Sequence, residues 1–547
     1  MTVIGRGEFV SSSLQSLSWT RLALAAVGSY VAYQFLSAAY GYLRNSRSPL
    51  RNLPGPRKGG NFLFGHTLAT FQDESNKLEL EWARDYGETF VIRGILGKYQ
   101  LITMDARANT HTLFASHIYQ KPLFERSVIT GFLGEVEQHR DQRRILNPAF
   151  GFSHIRDLTG IFLDKSAQLQ LREILTNKCI DAGGTARIDA VGWLSKATLD
   201  IIGKAGFDYE FDTLNENGPM DELAKAFDET LRKDAPTWDQ IRMLINYQFP
   251  LIRAIAPGPG DRAAAFGRKK MDEIGMCIVQ EKKQEILEEM GGGRIEKKAV
   301  GGKDLISLLL QANLAEDLEP SLRLSDSEVL AQIPSFLVAV LISWALYSLS
   351  THPEIQKKLR AELVEVTTEN PRLDMLNALP YLDYVTRETL RLHNVVAKST
   401  REAMQDDIIP LGTPIKDLSG NLISSIKVNK GDQVHVPIFL VNHNKAIWGP
   451  DADEFRPERW ENVPSEASSI PGITPNLLTF LGGPRGCIGH RFAVAEFKAL
   501  LFHFVRGFEF RLAVDPSEVY SRSAGLTSPQ LRTDNSVQLP IYITPIA

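Results

Sequence analysis

The succession of apolar and polar positions divides the chain into an apolar head, a punctuated joint and a long, mostly helical body. From Leu22 to Leu43 no charge interrupts a run rich in Leu, Ala, Val, Phe and Tyr. It is long enough for a helix to cross a bilayer, although Ser, Gly and Gln34 leave it only moderately apolar. Arg44, Arg47, Arg51, Arg57 and Lys58 follow it, against Arg6 and Arg21 before it, so the positive-inside rule puts the bulk of the chain on the cytosolic side. The expectation is a retained membrane anchor, with a cleaved signal or an interfacial helix as the alternatives. Residues 48–60, SPLRNLPGPRKGG, carry Pro49, Pro54, Pro56 and three glycines, which predicts a semi-rigid linker without regular structure.

Beyond the joint, a helical stretch at Lys77–Tyr86 is followed by β-branched and aromatic runs at 89–95 and 99–104, predicting a small sheet. Residues 160–290 read as mostly helical, interrupted by FPLIRAIAPGPG at 249–260, an apolar loop that either packs as an ordinary loop or dips into a bilayer surface. A charged surface helix, 268–290, ends at Gly291, Gly292 and Gly293. Ser325 with Glu328 forms a capping box that opens a helix running through VLAQIPSFLVAVLISWALYSLS, and Thr351 with Glu354 forms a second box for the helix after it. Near the C-terminus, LTSPQLRTDN and LPIYITPI read as a turn between short strands. There is no internal repeat.

Composition changes this picture little. With 547 residues the chain can bury a large core, and its net charge of −4 provides no basic field for nucleic acid. Three cysteines, Cys179, Cys277 and Cys487, make no disulfide framework and fit a reducing compartment. Cys179 and Cys277 read as structural.

Cys487 is different. It lies in FLGGPRGCIGHRFA, residues 480–493, just ahead of an apolar helical run. A thiol placed before a helix N-terminus is biased toward thiolate, the form that binds a metal. Gly483 and Gly489 remove side chains where backbone can pass close to a flat cofactor, and nearby amides can hydrogen-bond the sulfur. Arg485 can reach a carboxylate on that cofactor. The plain alternative is a buried cysteine in a Gly-rich turn.

Phe480, Gly483, Arg485, Cys487 and Gly489 fill every fixed place of F-x-x-G-x-R-x-C-x-G, so the stretch resembles the haem-binding loop of the cytochrome P450 family, the haem-thiolate monooxygenases, in its membrane-bound fungal type. The resemblance implies a mainly α (α+β) fold with a large helical lobe and a small β-sheet lobe, preceded by the anchor helix. The divisions are then a leader at 1–21, the transmembrane anchor at 22–43, a hinge at 44–60 that aligns the domain on the membrane, and a catalytic domain at 61–547. Residues 139–150, HRDQRRILNPAF, resemble the helix carrying W-x-x-x-R, with His139 in the Trp place and Arg143 in the Arg place as donors to haem propionates; a basic solvated face is the alternative. Lys398 and Arg401 fall where the family has a basic propionate partner, and Asn394 stands where proline is common.

Glu388 and Arg391 form an E-x-x-R pair that gains meaning from its distance to Cys487 and from Arg459 in FRPERW, the third member of the family's buried charge cluster. Such a trio is tolerable only when fully paired, and it holds geometry more than it adds stability. The central helix departs from the family. Its flanks, IPSFLVA and ISWALYSLSTHPEIQKKLRAEL, match, but about six residues bearing the proton-relaying acid and alcohol are missing between Ala339 and Val340. At about 100° per residue that loss rotates the following helix by about 120°, so the helix is expected to lose its apolar phase or to kink there. A mispredicted exon boundary or splice variant is one account, supported by a second shortened run near residue 134; a divergent family member is the other.

By resemblance, then, the chain holds one haem b (iron protoporphyrin IX) on Cys487. It inserts oxygen from O2 into a small lipophilic substrate, using electrons from NADPH through a separate cytochrome P450 reductase, since no dinucleotide or flavin segment is present. A basic face with Arg485, His490 and Arg491 could dock that reductase, Arg485 being better turned inward. The expected location is the endoplasmic reticulum membrane, single-pass, with a cytosolic catalytic domain and no nucleic-acid partner. The alternatives are a haem-thiolate isomerase, dehydratase or peroxygenase, or a catalytically impaired haem-binding product.

Overall fold

The computed structural model describes residues 19–61, 63–123, 150–163, 167–215, 255–289, 336–522 and 526–546, with isolated positions between these segments. Helix α1 (Trp19–Asn45) leads into the sheet lobe. There, β1 (Thr89–Arg93) and β2 (Tyr99–Thr103) pair antiparallel, and β8 (Gln433–Val436) joins β2 in parallel. The sheet continues through β5 (Ser399–Ala403) to β3 (Tyr119–Gln120), in the order β1-β2-β8-β5-β3. Strand alternation makes this sheet two-faced. Phe90, Ile92 and Ile102 join the large core of the helical lobe, whereas Val91, Leu101 and Val434 face a second core. The hairpin of β6 (Asp407–Lys416) and β7 (Leu422–Val428) closes that second core through Ile409, Leu411, Ile426 and Val428.

Leu50 and Leu53 are also in the second core, 0% and 4% exposed. The segment expected to be a linker is therefore packed against the sheet. Ser48 donates to Asp432 (2.9 Å) and starts a short turn of helix at Pro49–Asn52. Two leucines supply the burial that Pro and Gly punctuation conceals.

Helix α2 (Lys77–Tyr86) and strands β1 and β2 fall where the periodicity predicts them. The charged surface helix is longer at its start than expected, running Pro259–Glu289. Near the C-terminus, β10 (Val519–Tyr520) pairs with β11 (Gln530–Leu531), and β12 (Pro540–Pro545) lies between β4 (Ala186–Asp189) and β9 (Phe508–Leu512). The capping box at Thr351 is not formed. Thr351 Oγ1 donates back to Tyr347 O and Ser348 O, and the next helix starts at Pro353 with His352 as its N-cap. Proline at the first helical position needs no capped amide, which makes the hydroxyl redundant there.

Among the described residues no helix is long and apolar enough to cross a membrane; Ser29, Gln34, Ser37 and four tyrosines dilute the apolar run of α1. Cys179 is buried, its thiol donating to Ile543 O at 3.4 Å, but Cys277 is exposed and so is not the core residue expected.

Candidate active site

The loop 480–489 packs on helix α3 (Ala106–Phe114) and leads into helix α8 (His490–Gly507), which packs on helix α7 (Pro380–Leu392) and helix α6 (Phe336–Thr351). The loop is closed by its own backbone: Cys487 N donates to Phe480 O (2.8 Å) and Gly486 N to Gly483 O (3.1 Å). Gly483 has φ +68°, and a Cβ there would lie 2.6 Å from Leu113 O on α3. Its glycine is thus demanded by a left-handed backbone and by contact with protein, not by room for a cofactor. At Gly489 the reverse holds. Its φ is −85°, and a Cβ would meet only Phe150 at 3.9 Å. That open side adjoins Cys487, which is exposed inside an otherwise well-packed loop. Phe480 is half-buried against the ring of His490, with centroids 6.1 Å apart.

Three cations gather next to this loop. Arg401, on β5, is 2% exposed and spends one guanidinium nitrogen on Ser399 Oγ (2.7 Å) and Thr400 O (2.9 Å). Burial lowers it to about 10, Glu125 raises it, and Arg485 lowers it further. Lys121 is likewise lowered, by burial first, with Glu125 opposing and Arg401 and Arg485 adding to the fall. Arg485 thus acts on both Arg401 and Lys121 as a like charge, and Glu125, 3.1 Å from Lys121, opposes it at both. A cluster of this kind suits an anionic guest. Lys398 is not among the charges that act on Arg401 and Lys121, and its ammonium is bound by Glu79, itself 3% exposed. Of the two positions, Lys398 and Arg401, that the sequence offered as a basic partner, Arg401 on β5 is the one that Arg485 acts on. His139 and Arg143 lie outside the described residues.

Behind the loop, the charge cluster is complete. Glu388 receives Arg391 through both oxygens (Nε 2.9 Å, Nη2 2.8 Å), together with Arg459 Nε (3.4 Å), Trp460 Nε1 (3.0 Å) and the backbone N–H of Arg456 (3.0 Å). Arg391 turns its other donors to the carbonyls of Asn442, Ala452 and Glu454, and Arg459 to Trp448 O, Asp451 O and the Asp451 carboxylate. All three side chains are essentially fully buried. Asp451, which the sequence reading missed, makes the charges balance, and hydrogen bonding to Arg459 holds its carboxyl below the usual range. Its only sequence signal is its place eight residues before Arg459. Asn394, at the end of α7, donates to Leu390 O (2.9 Å) and Thr479 Oγ1 (3.3 Å), tying the helix end to the segment before the cysteine loop.

On the opposite side, α6 runs as one uninterrupted α-helix through Ala339 and Val340. The expected break is absent from this stretch, because Val338–Leu346 is buried on every side and so has no apolar phase to lose. The described residues of the helix, Phe336–Thr351, include no carboxylate. Ser343 Oγ donates to Ala339 O (2.7 Å), and Trp344 stacks on His393 at 4.7 Å while donating to Thr527 O (2.7 Å).

The exposed thiol beside an open glycine, the cation cluster and the buried charge network fit one group: a flat macrocycle with an iron centre and acidic side chains. Among the described residues no three His, Cys, Asp or Glu gather into a metal site, so a metal on Cys487 brings its other ligands with it. Fold and site together define a haem-thiolate protein. The cytochrome P450 family profile matches residues 54–534, and the chain belongs to that family, whose cofactor is haem b. It is 46% identical to cytochrome P450 monooxygenase 205 of Postia placenta, with 91% of this chain and 93% of the relative covered. It is 42% identical to monooxygenase 128 of the same fungus over the same shares, and 36% identical to the monooxygenase claO of Ampulloclitocybe clavipes, covering 85% of this chain and 87% of the relative. These relatives mark the chain as an oxidoreductase.

Proposed function

We propose that the protein is a membrane-anchored monooxygenase that inserts one atom of O2 into a small lipophilic substrate, with electrons from NADPH delivered by a separate cytochrome P450 reductase. The observation that carries this reading is the exposed Cys487 thiol in a loop rigidly backed by the Glu388, Arg391 and Arg459 network. When bound, haem supplies activation of O2, which a thiolate ligand favours. The chain's own residues do the positioning. Cys487 holds the iron; Arg401, Arg485 and Lys121 neutralise the acidic side chains, with Arg143 and His139 as further donors; Gly489 leaves the face open. Arg491, exposed on α8, and half-buried His490 support reductase docking on the cysteine side, while Arg485 is half-buried and acts on Arg401.

Helix α1 supports the anchor. Its exposed apolar residues, Leu22, Leu24, Val27, Val31, Phe35 and Leu36 among them, point in all directions around the axis, the pattern of a helix that enters lipid rather than lies on it. The placement proposed is single-pass in the endoplasmic reticulum membrane, with the catalytic domain in the cytosol.

One observation favours a second reading: Phe336–Thr351 contains no acid. A haem-thiolate isomerase, dehydratase or peroxygenase needs no proton relay of that kind. The deciding experiment is the CO spectrum of the reduced protein, followed by turnover with NADPH and reductase against turnover with a hydroperoxide. A thiolate-type spectrum with NADPH turnover supports the monooxygenase, and hydroperoxide turnover alone supports the second reading. No thiolate-type spectrum overturns both. Sequencing the transcript across Ala339 and Val340 shows whether the acid and alcohol are restored in the expressed protein.

A further inference from the structure

Thr527, in the turn Leu526–Ser528, is fixed at three points. Its N–H donates to Val395 O (3.0 Å), its carbonyl accepts from Trp344 Nε1 on α6 (2.7 Å), and its hydroxyl donates to Asn394 O. Leu526 bridges to Val396 beside it. Thr479, just ahead of the cysteine loop, is held as firmly. Its hydroxyl donates to Leu390 O (2.7 Å) and accepts from Asn442 Nδ2 (2.9 Å) and Asn394 Nδ2 (3.3 Å), which fills the one donor and two acceptor places that a hydroxyl has.

Asn394 is the residue the two threonines share. Thr527 holds its backbone carbonyl and Thr479 receives its side-chain amide, across sequence separations of 133 and 85 residues. The amide has one orientation, because Leu390 O and Arg391 O, the other partners of Nδ2 at 2.9 and 3.3 Å, can only accept. Oδ1 is then left buried with no partner among the described residues, in a side chain only 2% exposed. That is a destabilising arrangement which an apolar side chain of the same size would avoid, and it points to a use for the donor end. Proline, common at this place in the family, has no side-chain donor, so the link to Thr479 is this chain's own.

From Thr479 the path to the metal ligand is short. Phe480 follows it, and Phe480 O accepts from Cys487 N (2.8 Å). A displacement of Thr479 therefore moves the carbonyl that closes the cysteine loop, and the backbone around a ligating sulfur tunes the metal it holds. We propose that Asn394 is a positioning residue through which the turn at Thr527, and with it Trp344 of α6, sets the placement of the Cys487 thiolate. The proposal rests on the reading of Cys487 as the haem ligand and deepens it with a support separate from the Glu388 charge cluster. A row of bonds is not in itself a coupling, and a double-mutant cycle supplies the measure.

The test uses the full chain loaded with haem, as the parent and as Thr527→Val, Thr527→Ser, Asn394→Leu and the double variant Thr527→Val with Asn394→Leu. The readings are the thiol-type share of the CO adduct of the reduced protein and the midpoint potential of the haem, with melting of each haem-free chain as the check on folding. Thr527→Val and Asn394→Leu are each expected to raise the thiol-type share severalfold and to displace the potential. Thr527→Ser is expected to behave as the parent, and the double variant to differ little from Asn394→Leu. If Asn394→Leu melts far below the parent, Thr479→Val, which cuts the same link from its other end, takes its place in the cycle. Thr527→Val with both readings at the parent values overturns the proposal. So does an undiminished effect of Thr527→Val in the Asn394→Leu background, or an equal effect of Thr527→Ser. Readings that follow haem-free melting temperature instead of the Thr527 hydroxyl make the role structural and also overturn it. A parent without a thiolate-type spectrum overturns the haem-ligand reading and the proposal together.

Discussion

Cys487 is a residue whose packing value is small and whose chemical value is large. Because protein alone leaves its thiol exposed, haem-free Cys487→Ser is expected to melt within about 2 °C of the haem-free parent, while the haem-loaded variant loses the thiolate-type CO spectrum. Glu388 is the opposite case. Removing its charge strands two buried guanidinium groups that are paired through it, so Glu388→Ala is expected to cost about 3–5 kcal/mol and to lower haem content per chain. Denaturant titration and pyridine-extracted haem measure the two effects separately. A third residue sets a pH dependence. His435, on β8, is buried with neither ring nitrogen bonded among the described residues, and burial, aided by Lys398, pushes it down to about 3. Between pH 6.5 and 3 the unfolded chain takes a proton that the folded chain refuses. The cost of that refusal is nil above pH 6.5 and grows as pH falls, reaching about 1.4 kcal/mol per pH unit. His435→Leu is expected to flatten the stability profile by that slope over this window while leaving stability at pH 8 equal or higher, as read by urea unfolding at several pH values.

At the scale of elements, two glycines of one loop separate the contribution of protein from that of cofactor. Gly483→Ala forces a side chain into a left-handed backbone and against Leu113 O, and is expected to destabilise the chain by about 1–3 kcal/mol with or without haem. Gly489→Ala has no such obstacle in the protein, since Phe150 at 3.9 Å is in ordinary contact range. It is expected to leave the unfolding of the haem-free chain unchanged and to weaken haem retention, measured by transfer of haem to apomyoglobin. The five fixed positions of the loop were legible in the sequence because they lie within ten residues of one another. The reason for each was not, since whether a glycine clears a cofactor or a carbonyl depends on α3, nearly four hundred residues earlier. The helix Phe336–Thr351 teaches the same point from the other direction. Rotation of a half-buried helix is costly, and the helix was expected to lose its apolar phase or to kink at Ala339 and Val340; a helix enclosed by α5 (Ala190–Ile202), α7, α8 and β9 is buried over Val338–Leu346 and has no face to misplace there.

At the scale of the whole molecule, the joint between α1 and the sheet lobe is the clearest departure from expectation. Proline and glycine marked 48–60 as a linker, yet Leu50 and Leu53 complete the second core beneath the β6–β7 hairpin. A chain beginning at residue 45 is therefore expected to unfold at the temperature of the full-length protein, whereas one beginning at Pro54 is expected to lose about 3–6 kcal/mol, the burial of two leucines. Thermal unfolding of the two truncations in the same detergent compares them directly. The charge network behind the cysteine depends on the same long-range assembly, for Asp451 balances Arg459 only once 448–460 has wrapped against α7.

What the sequence by itself determined was the family and with it the cofactor, because F-x-x-G-x-R-x-C-x-G is a local motif whose parts lie within ten residues. It also located α2, β1 and β2, whose periodicity is local too. Only the tertiary structure chose Arg401 over Lys398 and added Lys121 to the charges that interact with Arg485, and only it showed that Asp451 closes the charge balance and that the joint is part of the body. Each of these depends on charges and apolar groups meeting across strands and loops far apart in the chain, and burial makes such meetings matter by weakening the solvent that would otherwise screen them.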